Sequence, residues 1–209
     1  MASQRPAPRR PIGGSQERAE RTRAVVLNET VHCIVEEGYA AASARHIAER
    51  AGVTWGVIQY HFGDREALMM AVVDDGYAQL LQALRAPLDV SPTLTVRATA
   101  EMIVTAAWEA FSTPTSMAAL EIVIATRAHR DPAASEHLVA LANALSQLGK
   151  QIGNGLKTSH AAAVGDLLWA ALRGLVLAQM VMATPVDTRR ERRALVNVIV
   201  AYIEQHQPL

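Results

Sequence analysis

Residues 43–68 read SARHIAERAGVTWGVIQYHFGDREAL, two short helices joined at a glycine with a longer helix starting directly after. Ser43 is placed to cap the first, its hydroxyl accepting from one of the backbone N–H groups that a helix start leaves unpaired. Ala44, Ile47, Ala48 and Ala51 recur at helical spacing and make an apolar face. Gly52 closes that helix, where a left-handed residue is wanted and a Cβ would be strained. Val53 fills the corner, Thr54 caps the second helix, and Ile58 and Phe62, four apart, face inward. Trp55, Val57, Gln59 and Tyr60 are left on the outer surface. A tryptophan and a valine exposed together at the start of a short helix find a partner in a DNA major groove, where thymine methyls are apolar and base edges pair with amides or hydroxyls. The pattern is that of a helix-turn-helix reader. A purely structural corner is the competing reading, because helix–glycine–helix corners are common.

Taken in order, these residues resemble the tetracycline-repressor (TetR) family of bacterial transcription regulators. The similarity starts near Arg23. Glu36-Glu37-Gly38-Tyr39 resembles the acidic-Gly-aromatic step that ends the family's opening helix. Ser43, Arg45, Ile47, Ala48, Ala51, Gly52 and Val53 match its second-helix pattern S-x-R-x-I-A-x-x-A-G-V. Thr54, Gly56, Ile58, His61, Phe62, Asp64, Arg65, Glu66 and Leu68 match the pattern of its third helix and following turn. The match covers roughly the first third of the chain; the remainder is similar only in length, helical content and layout. The resemblance implies that Ser43 and Thr54 hold phosphates near helix N-termini, and that Arg45 reaches a base edge or phosphate. It also implies that Trp55, Gly56 and Val57 lie against the groove and that His61 and Arg65 contact the DNA backbone. Two departures stand out. Gln59, with Tyr60 beside it, occupies the place of a tyrosine that often bonds a phosphate in the family. Trp55 occupies the place of a frequent lysine, which implies weaker salt-dependent binding and readout shifted toward thymine methyls.

The chain has 209 residues, half of them hydrophobic, few aromatic and many alanine or leucine, a composition that favours helix. Its formal net charge is zero, but residues 1–25 carry Arg5, Arg9, Arg10, Arg18, Arg21 and Arg23 against Glu17 and Glu20. The positive charge is therefore concentrated at the reader's end, and the local field matters more than the total. Cys33 stands alone, so no disulfide forms within the chain; it reads as a small buried hydrophobe, at home in a reducing cytoplasm. No apolar run is expected to approach the roughly 18–20 residues of a membrane span. The N-terminus lacks the apolar segment of a secretory signal.

An all-α fold of about nine helices is expected. Residues 1–15 (MASQRPAPRRPIGGS) read as a disordered basic arm, either reaching a minor groove or solvated and idle. Residues 16–63 read as the helix-turn-helix domain, with Val26, Leu27, Thr30, Val31 and Ile34 as the inner stripe of a first helix over 16–37. Residues 64–209 read as a ligand-binding and dimerisation domain. Its helices are expected near 64–85, 91–112, 115–128, 131–152, 160–183 and 187–205, with GNGLKTS at 153–159 as a loop. The last two helices are apolar on more than one face, which points to a second subunit. The stripes Leu168, Leu172, Leu175, Gln179 and Leu195, Val198, Ile199, Tyr202 are the expected dimer face, with Gly165, Ala171, Gly174 and Ala178 allowing close approach. The resemblance likewise implies a four-helix dimer contact.

Met102, Trp108, Phe111, Met117, Glu121, Trp169, Arg173 and Met180 are candidate linings of an apolar, shape-tolerant ligand cavity. Glu121 and Arg173 stand in otherwise apolar helices, where an unpaired charge is costly; they pair with each other or anchor a ligand's polar group. Core filling is the competing reading for each apolar residue. His129, Asp131, Glu136 and His137 read as a capped loop, since adjacent Glu136 and His137 point apart and no metal set forms. No phosphate-cradling loop or nucleophile motif is evident, so neither a cofactor nor an enzyme is expected. These readings lead to a homodimeric, cytoplasmic repressor that binds double-stranded DNA at a palindromic operator and is released by a small, apolar effector. The alternatives are a helical small-molecule-binding or interaction module, and a TetR-type activator without ligand release.

Overall fold

A computed structural model describes residues 13–85, 94–156, 160–182, 184 and 186–206. Among these residues all regular structure is helical: α1 (Gly13–Glu37), α2 (Ala44–Arg50), α3 (Trp55–Phe62), α4 (Arg65–Arg85), α5 (Val96–Phe111), α6 (Pro114–Thr126), α7 (Pro132–Gly155), α8 (Ala161–Val181) and α9 (Arg189–Gln205). The basic arm expected at the N-terminus lies outside the described residues up to residue 12, and α1 begins at Gly13. The chain forms two compact units, one ending at Leu68 and the other beginning at Met69.

The first unit holds α1, α2, α3 and the opening turn of α4. Val26, Leu27, Val31 and Ile34 of α1 are buried, as are Ile47 and Ala48 of α2 and Ile58 of α3. Thr30 is buried in the same stripe because its hydroxyl donates back to the Val26 carbonyl at 2.7 Å. Ser43 caps α2, its Oγ accepting from the His46 N–H at 3.2 Å. Gly52 adopts φ +65°, which lets the chain turn so that the Val53 N–H reaches the Ala48 carbonyl at 3.0 Å. Thr54 occupies the N-cap of α3 in extended backbone, but its side chain makes no capping bond. Asp64 caps α4 through the Ala67 N–H at 2.7 Å.

The second unit packs the rest of α4 and α5–α9 around an apolar core that includes Leu80, Leu84, Ile103, Phe111, Leu148, Leu168, Trp169, Leu172, Val196 and Ile199. Thr95 caps α5 and Thr113 caps α6; Pro114 supplies the first helical position of α6, where a missing N–H costs nothing. Helices α7 and α8 cross almost backbone to backbone: a Cβ built on Gly165 would stand 2.6 Å from the Gly149 carbonyl oxygen.

Three expectations are corrected. Residues 153–155 continue α7 rather than starting a loop, and the buried Leu156 anchors that end. Helix α5 starts at Val96 among the described residues, with Thr95 rather than Ser91 beside its start. Ala162–Val181 is, by length and composition, an apolar run of 20 residues long enough to cross a membrane. That helix is apolar on most sides because one face, Val164, Leu168, Leu172 and Val176, fills the core, while its exposed side is mainly small and aliphatic, broken by Asp166 and Arg173.

Candidate nucleic-acid interface

Burial of Ile58 fixes which way α3 faces. With that side chain inward, Thr54, Trp55, Gly56, Gln59 and Tyr60 are exposed and Val57 and His61 half-buried. Tyr60 is the most open of the unit's exposed large hydrophobic side chains at 82% exposure. Its ring meets the His61 imidazole edge-on at 5.1 Å. The Thr54 hydroxyl, free of capping duty, stands beside Gly56, where an added Cβ would lie 3.8 Å from its oxygen. This face offers an indole, a phenol, an amide and a hydroxyl with no carboxylate among them.

Helix α2 contributes Ser43 and Arg45. The Ser43 oxygen is already engaged as a cap. The Arg45 side chain is 90% exposed and pairs with Glu49 one turn on, Nε to Oε1 at 2.9 Å. Its hydrogen bond to Glu49 holds the guanidinium proton more firmly than usual. An incoming phosphate or base edge would have to displace that carboxylate.

Arg65 is placed differently from the backbone contact implied by the resemblance. Its Nε donates to the Ala42 carbonyl at 2.8 Å, one terminal nitrogen to the Tyr39 hydroxyl at 2.9 Å and the other to the Tyr39 carbonyl at 3.2 Å. The guanidinium also lies over the Tyr39 ring at 4.5 Å. With its donors turned inward, Arg65 is a strut that fixes the start of α4. Arg50 is a second strut: it binds Glu37 in a short contact, Glu36 at 2.8 Å and Glu29 at 3.5 Å. Sequence reading missed it, although Glu29, Glu36 and Glu37 towards the end of one helix, with Arg50 closing the next, were a visible signal. Arg23, over the Phe62 ring at 5.1 Å, is a further cation that reading left out of the site.

The second unit holds a cavity of about 90 Å³ lined by Gly76, Tyr77 and Leu80 of α4, by residues of α6 including Ser116, and by Phe111, Leu145, Trp169 and Arg173. Phe111 and Trp169 meet edge to face at 4.8 Å. Burial raises the Tyr77 phenol pKa, against the pull of Arg173 and Arg130. Of the candidate lining residues, Phe111, Trp169 and Arg173 are brought together; Met102, Trp108, Met117 and Glu121 line no part of this cavity. The reason is helical phase. Helix α6 turns Ser116, Ala119, Leu120 and Val123 towards the cavity, which puts Met117 about 110° and Glu121 about 150° from the centre of that face. Trp108 lies under the Arg192 guanidinium at 4.7 Å, and Met180 packs on the core. Gly76, the missed residue, had a signal: a glycine inside a helix marks close approach, and its Cβ would stand 2.9 Å from Ala119 Cβ. Elsewhere in the unit Asp131 caps α7, and His137 bonds Asp74 at 2.6 Å.

The expected dimer stripes are also corrected. Leu168, Leu172, Leu195 and Ile199 are buried in the chain's own core, Leu175 and Tyr202 pack against it, and Gln179 donates to the Val186 carbonyl at 3.4 Å. Only Val198 of the eight points outward, at 55% exposure. Gly165 serves the contact with α7. The outward stripe of α8 is instead Ala163, Leu167, Ala170, Gly174, Ala178 and Val181, and that of α9 is Ala194, Val198 and Ala201.

Residues 26–72 match the family described as bacterial regulatory proteins, tetR family. The regulator BetI of Escherichia coli K12 is 28% identical over 186 residues, 88% of this chain and 92% of that protein. The repressor AcnR of Corynebacterium efficiens is 32% identical over 63 residues, and that match spans only 34% of its length. Among solved structures, the TetR-family regulator PfmR of Thermus thermophilus aligns with a TM-score of 0.65 at 16% identity, covering 84% of this chain and 97% of that one. The multidrug binding protein EbrR, solved with imidazole, aligns with a TM-score of 0.57 at 22% identity over 91% of each chain.

Proposed function

We propose that this chain, whose residues 26–72 match the tetR family of bacterial regulatory proteins, is a cytoplasmic, homodimeric repressor of that family that binds a palindromic operator and is released by a small, apolar effector. The observation that carries this reading is α3, whose buried Ile58 turns Trp55, Gln59 and Tyr60 outward together. In it, residues 16–63 read DNA, and residues 64–209 bind the effector and the second subunit. The similarity to AcnR, named a repressor, supports the sign of regulation.

Trp55, Gly56 and Val57 lie against thymine methyls and Gln59 and Tyr60 against base edges or phosphates. Arg45 exchanges Glu49 for the DNA. Ser43, Thr54 and His61 flank the groove near the backbone. Two such heads on a symmetric dimer require half-sites about one helical turn, or a multiple, apart. The partner subunit covers the outward stripes of α8 and α9, where small residues admit another helix at short range.

The effector enters the cavity bounded by α4, α6, Phe111 and Trp169. At about 90 Å³ it is well below the roughly 300 Å³ of an ordinary ligand pocket, so an effector of more than a few atoms must part α4 from α6. Those helices touch at Gly76 and Ala119, which makes α4 the element that moves. EbrR, a multidrug binding protein solved with imidazole, supports a small-molecule effector; the effector's apolar character is inferred from the aromatic and aliphatic lining of the cavity. The effector favours release only by binding the DNA-free state more tightly, so effector and operator weaken each other by the same factor.

Selection of random duplex DNA on the purified protein, followed by sequencing, tests the reading. An enriched palindrome is the expected result; folded, dimeric protein that enriches nothing would remove it. Titrating the complex with small apolar compounds tests release, and a compound that binds equally well with and without operator would refute that mechanism.

A further inference from the structure

Cys33, Glu37 and His46 bring a thiol sulfur, a carboxylate oxygen and an imidazole nitrogen within 4.8 Å of one another. Cys33 and Glu37 are four apart on α1 and share a face; His46 comes from α2. Neither the outward face of α3 nor the cavity uses any of the three. We propose that this triad binds one divalent transition-metal ion of the zinc class per chain.

The donors are the three ligand types that zinc takes, and three protein ligands leave a fourth position for water. With bonds of about 2.0–2.3 Å, donors around a tetrahedral ion stand about 3.4–3.7 Å apart. Glu37 Oε2 and His46 Nε2 are hydrogen-bonded at 2.9 Å; they need to separate by less than about 1 Å, and the ion replaces the proton between them. Cys33 is closed to solvent, but the Glu37 and His46 side chains are each 37% exposed and provide the way in. The other Glu37 oxygen accepts from Arg50, an outer contact of the kind that orients a ligating carboxylate.

The local charge suits a cation. Glu29, Glu36 and Glu37 surround Arg50, and Arg65 is the other guanidinium that acts on the thiol. Three carboxylates against two guanidiniums leave one negative charge, and ionising Cys33 makes two, which a divalent ion balances. A sulfur ligand binds as the thiolate, so metal binding releases the thiol proton. The sulfur and nitrogen donors select zinc or cobalt over magnesium or calcium.

The full chain, free of any histidine tag and stripped of metal, is titrated with cobalt(II). A near-ultraviolet thiolate-to-cobalt band is expected, saturating at one equivalent and bleached by zinc(II). Because the chain has a single cysteine, that band reports Cys33 alone. Cys33→Ser should abolish it. His46→Gln and Glu37→Gln, at partly exposed positions, should weaken cobalt binding at least about tenfold with helical circular dichroism intact. A wild-type protein without the band, or a band of unchanged affinity in both His46→Gln and Glu37→Gln, would overturn the proposal and leave an ion network beside an inert thiol.

Discussion

The two units are held together by different physics. In the first, α2 and α3 have seven and eight residues, too short to be stable alone. Directional bonds cross between elements: Arg50 ties α2 to three glutamates of α1, and Arg65 ties the start of α4 to Tyr39 and Ala42. In the second, long helices bury a large apolar core, and two backbones meet at Gly149 and Gly165. Directional struts fix where an outer face points, which a DNA reader needs. An apolar core tolerates exchange and rearrangement, which an effector site needs.

The largest test of this contrast is Leu172→Ala. Leu172 is wholly buried in the second core, and its loss should cost about 2–5 kcal/mol in urea unfolding; a change below about 1 kcal/mol would mean that the core collapses around the gap. Gly165→Ala follows at about 1–3 kcal/mol, because the new methyl meets a carbonyl oxygen. Its counterpart is Gly174→Ala on the same helix, where nothing in the chain's own fold lies within 4 Å: the methyl should leave the fold intact and weaken the subunit contact proposed for this stripe, read as a raised dimer dissociation constant.

Arg65→Met should lower stability by about 1.5–3 kcal/mol through lost charged hydrogen bonds. If stability holds and only operator affinity falls, Arg65 is a DNA contact after all. Arg45→Ala should do the opposite: stability within about 0.5 kcal/mol, operator affinity lower by roughly 1–3 kcal/mol with relaxed sequence preference. Unchanged affinity would remove Arg45 from the interface. The smallest effect concerns pH. The His46 hydrogen bond, followed by that from Arg50, holds the Glu37 carboxyl below its ordinary value of 4.5. Its contribution is therefore present above that value and lost as pH falls through the depressed one. Thermal melts of Glu37→Gln should accordingly show a shallower acid limb than wild type, and parallel limbs would rule the contribution out.

The first unit was legible because its geometry is local. Ser43, Gly52 and Asp64 each answer to a backbone need one to four residues away, and the apolar spacing of Val26, Ile34, Ile47 and Ile58 states which side is inside. Arg65 was not legible in the same way: a long side chain reaches inward or outward from one backbone position, and Tyr39 lies 26 residues away in sequence. In α8 the periodicity itself fails. A helix apolar on most sides gives only a weak inward direction, so Leu168 and Leu172 read as an outer face although the core claims them. The cavity was read from bulky residue types, whereas the helical phase of α6 and the gap at Gly76 decide its lining.

The pairing of Arg45 with Glu49 bears on attachment to DNA of arbitrary sequence. Affinity for arbitrary DNA grows with the number of phosphates a surface neutralises. Here Arg50 and Arg65 are committed inward, and Arg45 must exchange one anion for another to contribute. Under the proposed DNA-reading function these three arginines therefore add little to attachment at arbitrary sequences, which falls instead to cations such as Arg18, Arg21 and Arg23 of α1.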